Sequence, residues 1–155
     1  DRDAIDVIPP PADWTRFLKW IVPLVILSAF TYGYVKHDWT TFENMLTAWI
    51  LPNSIVAAVL TAVALARPLS ILTAFVCSPI TSLNPLLPSG VVVGLVEAWL
   101  RTPPVEDAEQ LNEDVQSLGG VYKNRFTRVL LVAVMSTLGS ALGAWVGLGW
   151  VLALV

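Results

Sequence analysis

An all-α integral membrane protein is the fold class this sequence predicts: three transmembrane helices, a Pro-broken helical hairpin and a cytoplasmic amphipathic helix. Three observations predict it. Hydrophobic residues make up 55% of the chain and charged residues only 14%, which excludes a disordered chain and fits poorly with an ordinary soluble domain. Three apolar stretches are long enough to cross a bilayer. Between the second and third lies the stretch Pro68 to Arg101, too apolar for a surface loop and too broken for one straight helix. A net charge of -3 argues against a nucleic-acid partner, which needs a basic face.

The elements follow in chain order. Residues 1–15, with Pro9-Pro10-Pro11 and aspartates at 1, 3, 6 and 13, read as a stiff, solvated linker from an N-terminal soluble domain. Residues 16–155 form a single membrane domain. Its first span covers about 17–35, apolar apart from Lys19. The second covers about 45–66, with Pro52 in its first turns, where proline is best tolerated. The broken pieces, 69–83 and 90–101, are each shorter than the ~20 residues a crossing needs. They either dip in and return as a re-entrant hairpin or cross as two very short segments. Val105, Ala108, Leu111, Val115 and Leu118 recur at spacings of three and four, predicting an amphipathic helix over 105–118. Pro103-Pro104 favours its start and Gly119-Gly120 its stop. Its polar face is acidic, unlike that of lipid-surface helices, and reads as a lid on the protein or a partner site. The last span covers about 126–151, tilted or broken near Gly147-Leu148-Gly149.

Charge sets the sidedness. With a re-entrant hairpin, Arg2, Arg16, Lys19, Arg67, Arg101, Lys123, Arg125 and Arg128 share one side and Lys36 alone holds the other. Cytoplasmic flanks carry the Lys and Arg excess, so the N-terminus is expected in the cytoplasm of a multi-pass cell-membrane protein. One crossing in place of the hairpin would erase the bias. Trp14, Trp20 and Trp99 then fall near the inner boundary, and Trp39, Trp49 and Trp145 near the outer.

Few residues here carry chemistry. Asn84-Pro85, flanked by Pro79 and Pro88, is the strongest local signal. A proline frees a carbonyl and pushes the preceding residue out of helical geometry. Asn84, Ser82 and Thr81 could therefore line a polar site where two half-helices meet, or form a tight structural turn. Glu97 and Arg101 stand four apart, the spacing at which helical side chains meet. A lone membrane charge costs ~3 kcal/mol on insertion scales, so Glu97 needs Arg101, Arg125 or Arg128 as a partner. The pair reads as an ion lock from the hairpin to the last helix, or as a proton or cation site. Gly139, Gly143 and Gly147 form a small-residue ridge, with Ser136, Ser140 and Ala144 on a neighbouring face. Such ridges permit close helix approach, against the hairpin or a second copy in a homodimer. His37 and Cys77 are each single, so neither metal site nor disulfide is expected. No enzyme signature, metal site or cofactor motif is present.

The run Cys77-Ser-Pro-Ile-Thr-Ser-Leu-Asn-Pro85, then Gly94-Leu-Val-Glu-Ala-Trp-Leu-Arg-Thr-Pro103, then Lys123-Asn-Arg-Phe-Thr-Arg-Val-Leu-Leu131 resembles the membrane half of the TraB/PrgY pheromone-shutdown family. Leu138-Gly-Ser-Ala-Leu-Gly143 fits the same pattern. The resemblance is good over 67–143 and loose over the first two spans. It implies an N-terminal soluble domain similar to TIKI-type metal-dependent proteases, and Pro79, Asn84, Pro85, Glu97, Arg101, Asn124 and Arg128 as characteristic positions. The expectation is thus a non-catalytic membrane domain that anchors and positions a peptidase or peptide-handling domain, with a peptide as the ligand. The alternative is a small channel or transporter with Ser82, Asn84, Glu97 and Arg101 along its path.

Overall fold

A computed structural model of the chain describes residues 15–84, 86–110 and 115–154. The described residues form helices α1 (Thr15–Lys36), α2 (Trp39–Val63), α3 (Pro68–Thr81), α4 (Ser89–Arg101), α5 (Val105–Glu109), α6 (Leu118–Lys123) and α7 (Arg125–Ala153). Nearly all of the expected linker at 1–15 lies outside the described residues, and so does Pro85. Helices α1, α2 and α7 are long and apolar enough to cross a membrane. At 1.5 Å per residue the 25 residues of α2 and 29 of α7 reach about 37 and 43 Å, against a hydrocarbon core of ~30 Å. The 14 residues of α3 and 13 of α4 reach only about 21 and 20 Å.

Two elements differ from expectation, and one open alternative is resolved. Helix α2 starts at Trp39, not near 45, because the polar stretch before Met45 is helical although it is not apolar. Its first turn is closed by Thr40 and Thr41 donating to the Asp38 carboxylate at 2.6 and 2.8 Å. Pro52 consequently sits mid-helix. It leaves the Ala48 carbonyl without a helical donor, and that carbonyl faces Gly147. Helix α7 runs unbroken through Gly147 and Gly149. The amphipathic helix expected over 105–118 is also corrected. Helix α5 ends at Glu109 with Gln110 as its cap, residues 111–114 lie outside the described residues, and α6 begins where the stop was expected. Ser117 caps α6 by accepting from the Gly120 N–H, so Gly119 and Gly120 lie inside a helix.

The bundle is built on α2 against α7. A Cβ at Gly139 would stand 2.6 Å from Ala57 Cα, and one at Gly143 would stand 2.6 Å from Asn53 Cα. The two backbones touch there, as small-residue ridges allow. The glycine ridge is therefore filled by α2, not by the hairpin or a second copy, because Ala48, Asn53 and Ala57 offer it a face without bulk. Helix α3 lies on α2 and α4 lies on α7. Helix α1 meets the rest through Ile26 and Ala29, which join Met45, Ala48, Trp49 and Val151 in one apolar cluster, and through Phe30 and Tyr34, whose rings stand edge-on to Phe42. Trp49 packs inside the bundle. It is 2% exposed, and its indole N–H donates to the Pro79 carbonyl at 3.1 Å, bracing α3 against α2.

Among the described residues the usual radial order is inverted. Twelve buried side chains are polar or charged against eleven that are hydrophobic, while Leu95, Trp99 and Trp145 stand largely exposed. Water would penalise that arrangement; lipid favours it.

Candidate functional site

Two polar clusters occupy the ends of the α3–α4 hairpin. The first is at its tip. Helix α3 ends at Thr81 and α4 starts at Ser89, just after Pro88. Asn84 closes the turn by accepting the Leu86 N–H on its side-chain oxygen at 3.0 Å, and its own N–H donates to the Thr81 carbonyl at 2.9 Å. The Ser89 hydroxyl donates to the Ser136 carbonyl at 3.0 Å, and the Gly90 N–H donates to Thr137 Oγ1 at 3.2 Å. A Cβ at Gly90 would run into the Ala133 carbonyl, so glycine is what lets α4 sit this close to α7. Ser136 stands about 17 Å along α7 from Arg125.

A cleft of about 240 Å³ opens at this tip, lined by Thr81, Ser82, Asn84, Pro88, Ser89, Thr137, Ser140, Ala141 and Ala144. Most of its hydroxyls are already engaged. Thr81 donates to the Cys77 carbonyl (3.0 Å), Ser82 to the Pro79 carbonyl (3.1 Å) and Thr137 to the Ala133 carbonyl (2.9 Å). Ser140, 5% exposed and lining the cleft, is the exception: its hydroxyl finds no hydrogen-bond partner among the described residues.

The second cluster is at the open end of the hairpin. Glu97 is fully buried. It pairs with Arg101, as the spacing predicts. Its other oxygen accepts from the Arg67 N–H at 3.0 Å and the Ser70 hydroxyl at 2.5 Å. Arg67 is the N-cap of α3 and makes no side-chain cap of its own. Glu97 on α4 thus supplies a carboxylate to a helix start that lacks one, which the exposed amides and the helix dipole both favour. Arg67 donates to the Leu100 carbonyl and Arg101 to the Leu65 carbonyl, so two arginines stitch the α2–α3 loop to the end of α4. The expected lock therefore joins α4 to α3 rather than to the last helix.

Around it, Asn124 caps α7 by accepting from the N–H groups of Phe126 (2.8 Å) and Thr127 (3.1 Å), and donates to the Asp107 carbonyl. The Arg125 N–H donates to the Asp107 carboxylate. Arg128 donates to the Tyr122 carbonyl, while the Tyr122 hydroxyl reaches the Val63 carbonyl at 3.3 Å. No group of three or more His, Cys, Asp or Glu side chains suited to a metal occurs among the described residues.

Ser82, Asn84, Glu97 and Arg101 do not form one site. The first two belong to the tip, the last two to the base, with the length of the hairpin between them. Pro85 lies outside the described residues. Sequence reasoning did not assign Ser89, Thr137 and Ser140 to the tip. Ser140 was legible only as part of a small-residue face, and the one hint for Ser89 is a hydroxyl directly after Pro88.

The family described as "TraB family protein, C-terminal domain" matches residues 14–155. The uncharacterized protein MJ1365 of Methanocaldococcus jannaschii is 30% identical over 138 residues, which is 86% of this chain and 34% of that protein. The chain thus spans about a third of that relative's length. No solved structure matches.

Proposed function

Because the chain belongs to the TraB family and matches its C-terminal domain, we propose that it is a non-catalytic, multi-pass membrane domain that anchors and positions a soluble domain of a longer protein. The inverted radial order carries this reading: polar and small side chains inside, Leu, Trp and Phe outside. The N-terminus lies in the cytoplasm by the charge argument, beside α5, α6 and the Glu97 cluster. The α3–α4 hairpin is re-entrant. Its tip meets α7 about 17 Å from Arg125, close to mid-depth of a ~30 Å core, and its two ends stand on the same side. A soluble peptidase or peptide-handling domain on that side is what the longer relative has room for.

The tip cleft favours a second reading, in which the same domain also binds or passes a solute. Single-cysteine labelling with an impermeant maleimide, in a Cys77→Ser background, tests both. Thr40→Cys is expected to react from one face only, and Ser117→Cys only from the face bearing the N-terminus. Labelling of both from one face would overturn the topology. Fast reaction at Asn84→Cys would mean that water reaches mid-membrane and would favour the solute-binding reading. Protection there would leave the anchor alone.

A further inference from the structure

We infer that the cleft at the hairpin tip is a binding site for a small monovalent cation, an alkali-metal ion or a primary ammonium group. This rests on the solute-binding reading of the cleft and names the class of solute. The direction of the hydroxyl protons decides what the cleft can offer. A carbonyl oxygen has no hydrogen to give, so each hydroxyl bonded to one must be the donor. Thr81, Ser82, Ser89 and Thr137 all spend their single proton on backbone carbonyls. What they can offer a guest is oxygen lone pairs.

Two of the backbone donors that an anion would need at the start of α4 are committed, which leaves the Asn84 amide and the Ser140 hydroxyl as the side-chain donors of the lining. The Gly90 N–H is held by Thr137 and the Val91 N–H by the Pro88 carbonyl. The end of α3 brings partial negative charge and the start of α4 partial positive charge, so the two helix termini offset each other. The lone pairs then decide the sign. Ser140 is the independent pointer to a guest: a serine 5% exposed that lines the cleft and whose hydroxyl has no hydrogen-bond partner among the described residues. No carboxylate lines the cleft. Neutral oxygens suit a monovalent ion that must exchange part of its hydration shell, and bind divalent ions poorly without charge. A volume of about 240 Å³ holds such an ion with several waters, each of which takes about 30 Å³ in the liquid.

The test is thermal unfolding of the whole chain in detergent, followed by tryptophan fluorescence at constant ionic strength. Chloride salts of sodium, potassium, methylammonium and the oversized N-methylglucammonium are titrated against one another. At least one small cation is expected to raise the midpoint saturably above N-methylglucammonium. Ser140→Ala, which breaks no hydrogen bond of the fold, should raise the half-saturating concentration about tenfold, as losing one bond to a charged group does. Ser82→Ala should act in the same direction, and Gly149→Ala, which has open space around it, should not. Equal midpoints in all four salts would overturn the site. So would unchanged titration in both serine variants, or a shift that follows exchange of chloride for gluconate. If Asn84→Cys labels fast and these midpoints are equal, the cation proposal falls and the wet cleft stands. If Asn84→Cys is protected as well, both fall.

Discussion

Glu97 caps a helix to which it does not belong, and its three partners come from two different elements. Removing one member of a buried ion pair strands the other, at about 3–5 kcal/mol. Glu97→Gln should therefore lower the unfolding free energy in detergent by an amount of that order, and adding Arg101→Gln should recover part of it. A double variant no better than the single would mean that Arg101 does not depend on Glu97. Asp38 gives a pH-dependent counterpart outside the membrane-spanning segments. Hydrogen bonds from the Thr40 and Thr41 hydroxyls lower its pKa from 3.8 to about 2. The folded value lies below the unfolded one, so its stabilising contribution is complete above 3.8 and is lost as pH falls through about 2. Trp39 fluorescence should report that loss with a midpoint near 2, moving toward 3.8 in Thr40→Val/Thr41→Val. The Glu97–Arg101 pair was legible from spacing, since four residues make one helical neighbourhood. The Arg67 and Ser70 contacts were not, because they join residues about 30 positions apart and only the return of the hairpin brings them together.

Among the helices, the α2–α7 seam separates glycines that are required from those that are not. Gly143 has the Asn53 backbone where its Cβ would go, whereas Gly149 has nothing within 4 Å. Gly143→Ala should destabilise by about 1–3 kcal/mol through forced separation of the helices. Gly149→Ala should be neutral or stabilising by up to about 1 kcal/mol, since alanine is the better helix former. Denaturation of the two variants side by side checks this, and equal effects would remove the close contact from the argument. The ridge itself was readable from its spacing of four; its partner was not. Periodicity shows that a face is small but not which other face lacks bulk, and the answer lay in Ala48, Asn53 and Ala57 on a helix whose Pro52 suggested a boundary. The amphipathic segment failed for a related reason. Its three-four stripe is continuous across Gln110, but α5 is only five residues long, too short to stand without packing.

For the whole molecule, composition alone placed the chain in lipid, because it reports the solvent that the outer surface faces. The three long helices followed from length. The tip cleft did not, since it needs Thr81, Ser82, Asn84, Ser89, Thr137 and Ser140 from two separate stretches of sequence to converge. That convergence also imposes an order in time. The start of α4 finds its hydrogen-bond partners on Ser136 and Thr137, which leave the ribosome dozens of residues after the hairpin itself. Until α7 has been made, the Ser89 hydroxyl and the Gly90 N–H lack these partners, and lipid offers none. On the re-entrant reading proposed above, the hairpin is therefore expected to settle only after α7 has been made, its seat being supplied by a helix translated after it.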